Sequence, residues 1–156
     1  MLASVAQTYS DILTSVFSST IAAKAWLASG AAVLAIVQVS TGARIFGKIK
    51  RFIPIPPPYV NRIHRWSGRI AVLLTLPVAF HCIFILGFDT TDARTLTHSI
   101  VGSFVYGVVA VKLFFVHDHD HPRWTLPLVG GTLFAVLVTL WATSAYWYFT
   151  NIRFGL

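Results

Sequence analysis

The sequence contains no glutamate. Its five acidic residues are all aspartates: Asp11, Asp89, Asp92, Asp118 and Asp120. Carboxylate-bridged di-iron sites and paired-carboxylate hydrolases need Asp/Glu pairs inside a bundle or cleft. No apolar stretch of this chain carries one, which argues against both classes. Charge of either sign is scarce, at 11% of residues, while 56% are hydrophobic; soluble domains average roughly 25% charged. Too little polar surface is present to cover a water-soluble fold. One cysteine, Cys82, leaves no intramolecular disulfide. It also leaves no cysteine pair for a quinone-linked disulfide oxidase. With no Cys-x-x-Cys-His run, covalent c-type haem is ruled out by the same count. Within its apolar segment Cys82 reads as a small buried hydrophobe.

What the chain does have is long apolar runs. A span needs ~20 mostly apolar residues, and four segments qualify in the 156 residues. Span 1 is expected from Ile21 to Ile45, span 2 from Ile63 to Phe88, span 3 from Leu96 to Val116 and span 4 from Thr125 to Thr150. Each is helical, because a lone strand in hydrocarbon leaves its backbone unpaired. The expected fold is therefore all-α: an integral membrane four-helix bundle over residues 21–156. Residues 1–20 lack the basic start of a signal peptide. Val5, Tyr9, Ile12, Val16 and Phe17 recur there at helical spacing, which suggests either an interfacial amphipathic helix or a frayed terminus.

The net charge of +7 does not indicate nucleic acid, because it sits beside the spans. Arg44, Lys48, Lys50, Arg51, Arg62, Arg65 and Arg69 cluster around the loop between spans 1 and 2. Arg123 joins them from the loop between spans 3 and 4, whereas the opposite side holds Lys24, Arg94 and Arg153. Lipid headgroups and topology account for this bias, which puts the proline-rich loop in the cytoplasm and both termini outside. Pro54, Pro56, Pro57 and Pro58 are expected to forbid a helix there.

Ionisable residues inside spans are expensive and usually functional. Here they are His64, His81, His98 and Lys112, with His117 closing span 3. Spans 2 and 3 form a hairpin turning near residue 90. Residues equally far from such a turn share a depth, so His81 meets His98 near one face. His64 meets Lys112 or His117 near the other. Opposed imidazoles at one depth are what bis-histidine haem b ligation requires. Gly68 follows His64 by four residues and Gly102 follows His98 by four, on the same helix face, where each clears room for a porphyrin. Ser67 and Ser99 are candidates to orient the imidazoles. Ligand chemistry favours His117 opposite His64, whereas position along the helix face favours Lys112, which also suits a propionate. Arg65 and Arg69 are either propionate partners or headgroup contacts. One haem at His81/His98 is expected, and a second at His64 stays open. The two histidines differ by about 100° in azimuth on an ideal helix, although Pro77 between them can bend span 2. The His117-Asp118-His119-Asp120-His121 run is either a transition-metal site or a solvated loop. Spans 1 and 4 carry no ligand and read as packing helices.

The stretches HRWSGR, LPVAFHC and HSIVGSFVYG, with Lys112 beyond them, resemble a family of small bacterial four-helix membrane proteins without assigned function. The resemblance covers roughly residues 60–150 and implies the bacterial cytoplasmic membrane. It marks positions matching His64, His81 and His98 as recurrent, and the run at 117–121 as not recurrent. The arrangement is also similar to membrane b-type cytochromes, including the cytochrome b five-sixty-one and ferric reductase transmembrane groups, although the histidine spacings differ. That likeness implies haem b, one-electron transfer within or across the bilayer, and a redox partner protein or quinone, by analogy only. The same histidines also fit a non-redox anchor or assembly subunit of a larger complex, where they act as interhelical hydrogen-bond glue. A third reading is a proton or metal-ion pathway, weakened by the absence of intramembrane carboxylates.

Overall fold

A computed structural model describes residues 2–52, 54–118 and 120–153 and is helical throughout, with no strand among them. The N-terminal helix α1 runs Leu2–Thr14, followed by α2 (Thr20–Ile45), α3 (Pro57–Phe80), α4 (Ala93–His117) and α5 (Thr125–Trp141). A π-helical turn, His81–Leu86, prolongs α3, and two more, Ala142–Tyr146 and Phe149–Arg153, prolong α5. Four of these helices are long and apolar enough to cross a membrane: Thr20–Ile45, Pro57–Leu86, Ala93–His117 and Thr125–Ile152. They are spans 1 to 4, and the chain is a multi-pass membrane protein.

Three expectations change. Helix α3 begins at Pro57, inside the proline run that was expected to forbid a helix. The first turn of a helix has no use for its N–H groups, so Pro57 and Pro58 fit there without loss. The N-terminal segment is an ordered helix docked on span 2. Its Tyr9 hydroxyl donates to the Pro77 carbonyl at 2.9 Å, and its ring lies 5.0 Å from Phe80 and 5.7 Å from His81. Burial holds the Tyr9 phenol above its ordinary pKa, so it remains a donor. Finally, spans 2 and 3 are consecutive but do not pack along each other. Span 1 packs on span 2 and on span 4, and span 4 packs on span 3.

Residue size explains the lateral order 2–1–4–3. Span 1 buries Ala22, Ala23, Ala25, Ala31 and Ala35, and small residues let membrane helices approach closely. A Cβ added at Gly30 would come within 3.2 Å of Leu74 on span 2. Spans 2 and 3 instead turn large side chains outward, as with Leu73 and Phe104, both more than 60% exposed. Long side chains bridge the gap between them: the Tyr106 hydroxyl reaches Thr75 Oγ1 at 3.2 Å. The Asp92 end of the bundle is locally well specified. Gly87 ends span 2 with φ of 73°, a conformation glycine adopts readily. Asp92 then caps span 3, its carboxylate accepting from Thr95 N at 2.8 Å. That hydrogen bond holds the carboxyl below the usual aspartate range.

Replacing a buried alanine of span 1 tests this packing. Ala35→Leu is expected to destabilise the bundle by about 1–3 kcal/mol, seen as a lower thermal midpoint in detergent. Val33→Leu, at a position 60% exposed on the same helix, is expected to leave the midpoint unchanged. Equal midpoints for the two variants would contradict the arrangement.

Candidate functional site

Each hydroxyl in a helix of this kind has a single proton to donate. Thr143 Oγ1 gives its proton to the Thr139 carbonyl at 2.8 Å, one turn back on span 4. With its proton there, it accepts from His98 Nδ1, 2.9 Å away across the span 3–span 4 contact, in the tautomer protonated on Nδ1. In that tautomer His98 Nε2 is an acceptor, and Cys82 Sγ on span 2 lies 3.9 Å from it. The other end of the bundle, beside the proline-rich loop, repeats the device. Thr41 Oγ1 donates to Val37 O at 2.6 Å and accepts from His64 Nδ1 at 2.8 Å. Two imidazoles are thus each paired through Nδ1 with a threonine on a neighbouring span, an arrangement that favours protonation at Nδ1. A histidine oriented in this way, with Nε2 as an acceptor, is in the form that binds a metal or accepts a proton.

His81 behaves differently. It is only 5% exposed, it starts the π-helical turn of span 2, and its Nδ1 has no hydrogen-bond partner among the described residues. A buried polar atom left without a partner costs about 1–3 kcal/mol, and π-turns occur often at functional sites. His81 and His98 line one cavity of about 430 Å³ together with Cys82. A second cavity of about 510 Å³ adjoins it, also lined by Cys82 and His98, and reaches Gly102 and Tyr106. Both are walled by residues of all four spans, where spans 2 and 3 stand apart, and their size is that of small-molecule and cofactor sites, roughly 300–1,000 Å³.

The two glycines of the histidine motifs differ in their surroundings. Gly102 borders the larger cavity, where an added Cβ would meet Leu140 at an ordinary 3.6 Å. The space beside Gly68 is filled by Gln38, 3.2 Å from such a Cβ. Gln38 Nε2 donates to the His64 carbonyl and to Ser67 Oγ at 2.8 Å, while its Oε1 accepts from Lys112 Nζ at 3.4 Å. Gln38 thereby gathers His64 and Lys112 into one cluster. His117 is exposed and donates Nδ1–H to Leu113 O on its own helix. Ser67 and Ser99 do not orient the imidazoles: Ser67 donates to Ile63 O and Ser99 to Asp89 O. Arg65 and Arg69 are exposed, and Arg69 stacks over Trp66 at 5.2 Å.

The whole chain matches one known family. The model of DUF6529, a family of unknown function, covers residues 3–156. The chain belongs to that family. No curated protein and no solved structure matches it. Within this DUF6529 chain, the run at 117–121 forms no metal cluster among the described residues, and His119 lies outside them. His121 stacks on Phe115 at 5.5 Å and donates to Pro122 O at 3.0 Å.

Four polar residues on spans 1 and 4 do more than pack: Thr41, Gln38, Lys24 and Thr143. Gln38 and Lys24 carried a signal, a strongly polar side chain in an apolar run. Thr143 carried none, since threonine in a helix usually bonds only its own preceding turn. Nitrogen NMR of ¹⁵N-labelled histidines in the cofactor-free protein tests the tautomer assignment. His64 and His98 are expected to carry protons on Nδ1, and Thr41→Val and Thr143→Val are each expected to remove that bias at one histidine. Protons on Nε2 in the unmodified protein would contradict it.

Proposed function

We propose that the chain is a membrane b-type cytochrome whose haem is held by His81 and His98, between spans 2 and 3. One observation carries this reading. His81 has a buried nitrogen with no partner among the described residues, and His98 is held at Nδ1 by Thr143 with only the weak Cys82 thiol at Nε2; the two line a common cavity where spans 2 and 3 stand apart. Two histidines suffice to hold a b-type haem, and Gly102, bordering the adjoining cavity, would leave room for it beside His98. Haem bound there supplies one-electron exchange between ferrous and ferric iron.

The chain's own residues do the rest. Thr143 holds the proton at His98 Nδ1 and fixes the ring orientation, the arrangement that makes a histidine a better ligand. Ala25 of span 1 and Ala145 of span 4 keep the cavity walls thin, and Val78 adds an apolar wall from span 2. At the other end, His64 has Lys112 nearby rather than a facing imidazole, so one haem per chain is the reading this geometry favours. The concentration of basic residues supports a cytoplasmic proline-rich loop, with the haem near the opposite face of the membrane. In this reading electrons pass between a quinol or partner protein and an acceptor on the outer side.

A second reading has its own support. Both threonine–histidine bonds join neighbouring spans, as interhelical glue in a non-redox anchor subunit would. The orphaned His81 nitrogen favours the first. Protein purified from haem-replete cells separates them. A Soret band and a pyridine haemochrome near one haem per chain are expected, lost in His81→Ala and His98→Ala and kept in His117→Ala. A folded, colourless protein, or histidine variants with unchanged spectra, would sink the cytochrome reading.

A further inference from the structure

The cavity that holds His81 and His98 is also lined by Lys24, Arg94 and Asp89. Lys24 stands near the start of span 1, partly buried, and has no acidic partner among the described residues. Arg94 is oriented from three sides. Its Nη1 donates to the Thr143 carbonyl at 2.8 Å, its Nη2 is 3.6 Å from Asp92, and its guanidinium lies 4.2 Å from the Trp147 ring centre. A guanidinium has five N–H donors, so this leaves several to point elsewhere. The nearby acids are engaged elsewhere in part. Asp89 accepts from Thr91 N at 2.9 Å and Thr91 Oγ1 at 3.2 Å, and Asp92 caps span 3 besides pairing with Arg94. Lys24 is within 4 Å of neither carboxylate, and a cation in a span without an ion-pair partner favours a bound anion.

We propose that Lys24 and Arg94 form a carboxylate clamp at the Asp92-end mouth of the His81–His98 cavity. The proposal rests on the cytochrome reading, in which the carboxylates are the haem propionates. It moves their partners away from Arg65 and Arg69, which are exposed near the other end of span 2, and from Lys112, which is engaged by Gln38. Acidic lipid headgroups offer the same anionic chemistry, so the test separates the two sources.

The test follows haem release from the holoprotein to excess apomyoglobin, in nanodiscs of zwitterionic lipid. Loss of a charge-assisted hydrogen bond is expected to make Lys24→Gln release haem roughly tenfold faster or more, with Lys24→Arg restoring slow release. With haem dimethyl ester, which has no free carboxylates, wild type and Lys24→Gln are expected to release at the same rate. Equal rates with native haem would overturn the clamp. So would an equal acceleration with the ester, which assigns Lys24 to the fold, or a difference that needs anionic lipid, which assigns it to headgroups. A wild type without haem sinks the cytochrome reading and the clamp with it. A wild type that holds haem while Lys24→Gln behaves identically sinks the clamp alone.

Discussion

Spans 2 and 3 are held apart, and the rest of the structure depends on that separation. They are consecutive in the chain, yet each is secured on its far side: span 2 by the alanine surface of span 1, span 3 by span 4. Between them remain cavities bridged by a few long side chains. In lipid there is no hydrophobic drive to close such a gap from outside, because the tails are as apolar as the helix surfaces. The small residues of span 1 therefore decide where the bundle is tight, and by exclusion where it is open.

The same frame sets the chemistry of the polar groups. A histidine at membrane depth is costly unless its nitrogens are satisfied. Span 1 supplies Thr41 and span 4 supplies Thr143, each with its own proton already given to a preceding carbonyl. Each imidazole then has Nδ1 placed as a donor and Nε2 as an acceptor, which in His98 faces the Cys82 thiol. His81 goes further, with a buried nitrogen that has no partner. Lys24, in the same cavity, makes no ion pair among the described residues. These groups sit where spans 2 and 4 widen into π-turns. The structure concentrates its unsatisfied groups at one end, beside the open gap.

Much of this was legible in the residues. The four spans follow from apolar runs of the required length, and the shared depth of His81 and His98 follows from their distance to the turn. The start of α3 at Pro57 was not, because a proline signals both a breaker and a first-turn residue, and only the following turns decide between them. The 2–1–4–3 order was hidden because it depends on residue volumes across helices rather than on hydropathy along one. Seen along the sequence, spans 1 and 4 hold no ligand. Only their contacts show that Thr41, Gln38, Lys24 and Thr143 position or charge the histidine sites. Gly68 and Gly102 look alike in their motifs, but one makes room for Gln38 and the other borders a cavity.

An experimental density map of the protein purified from haem-replete membranes tests the central claim most directly. The account predicts spans 2 and 3 parted at the Asp92 end, with planar non-protein density between His81 and His98. Spans 2 and 3 packed side chain against side chain, or a gap filled only by lipid tails, would contradict it.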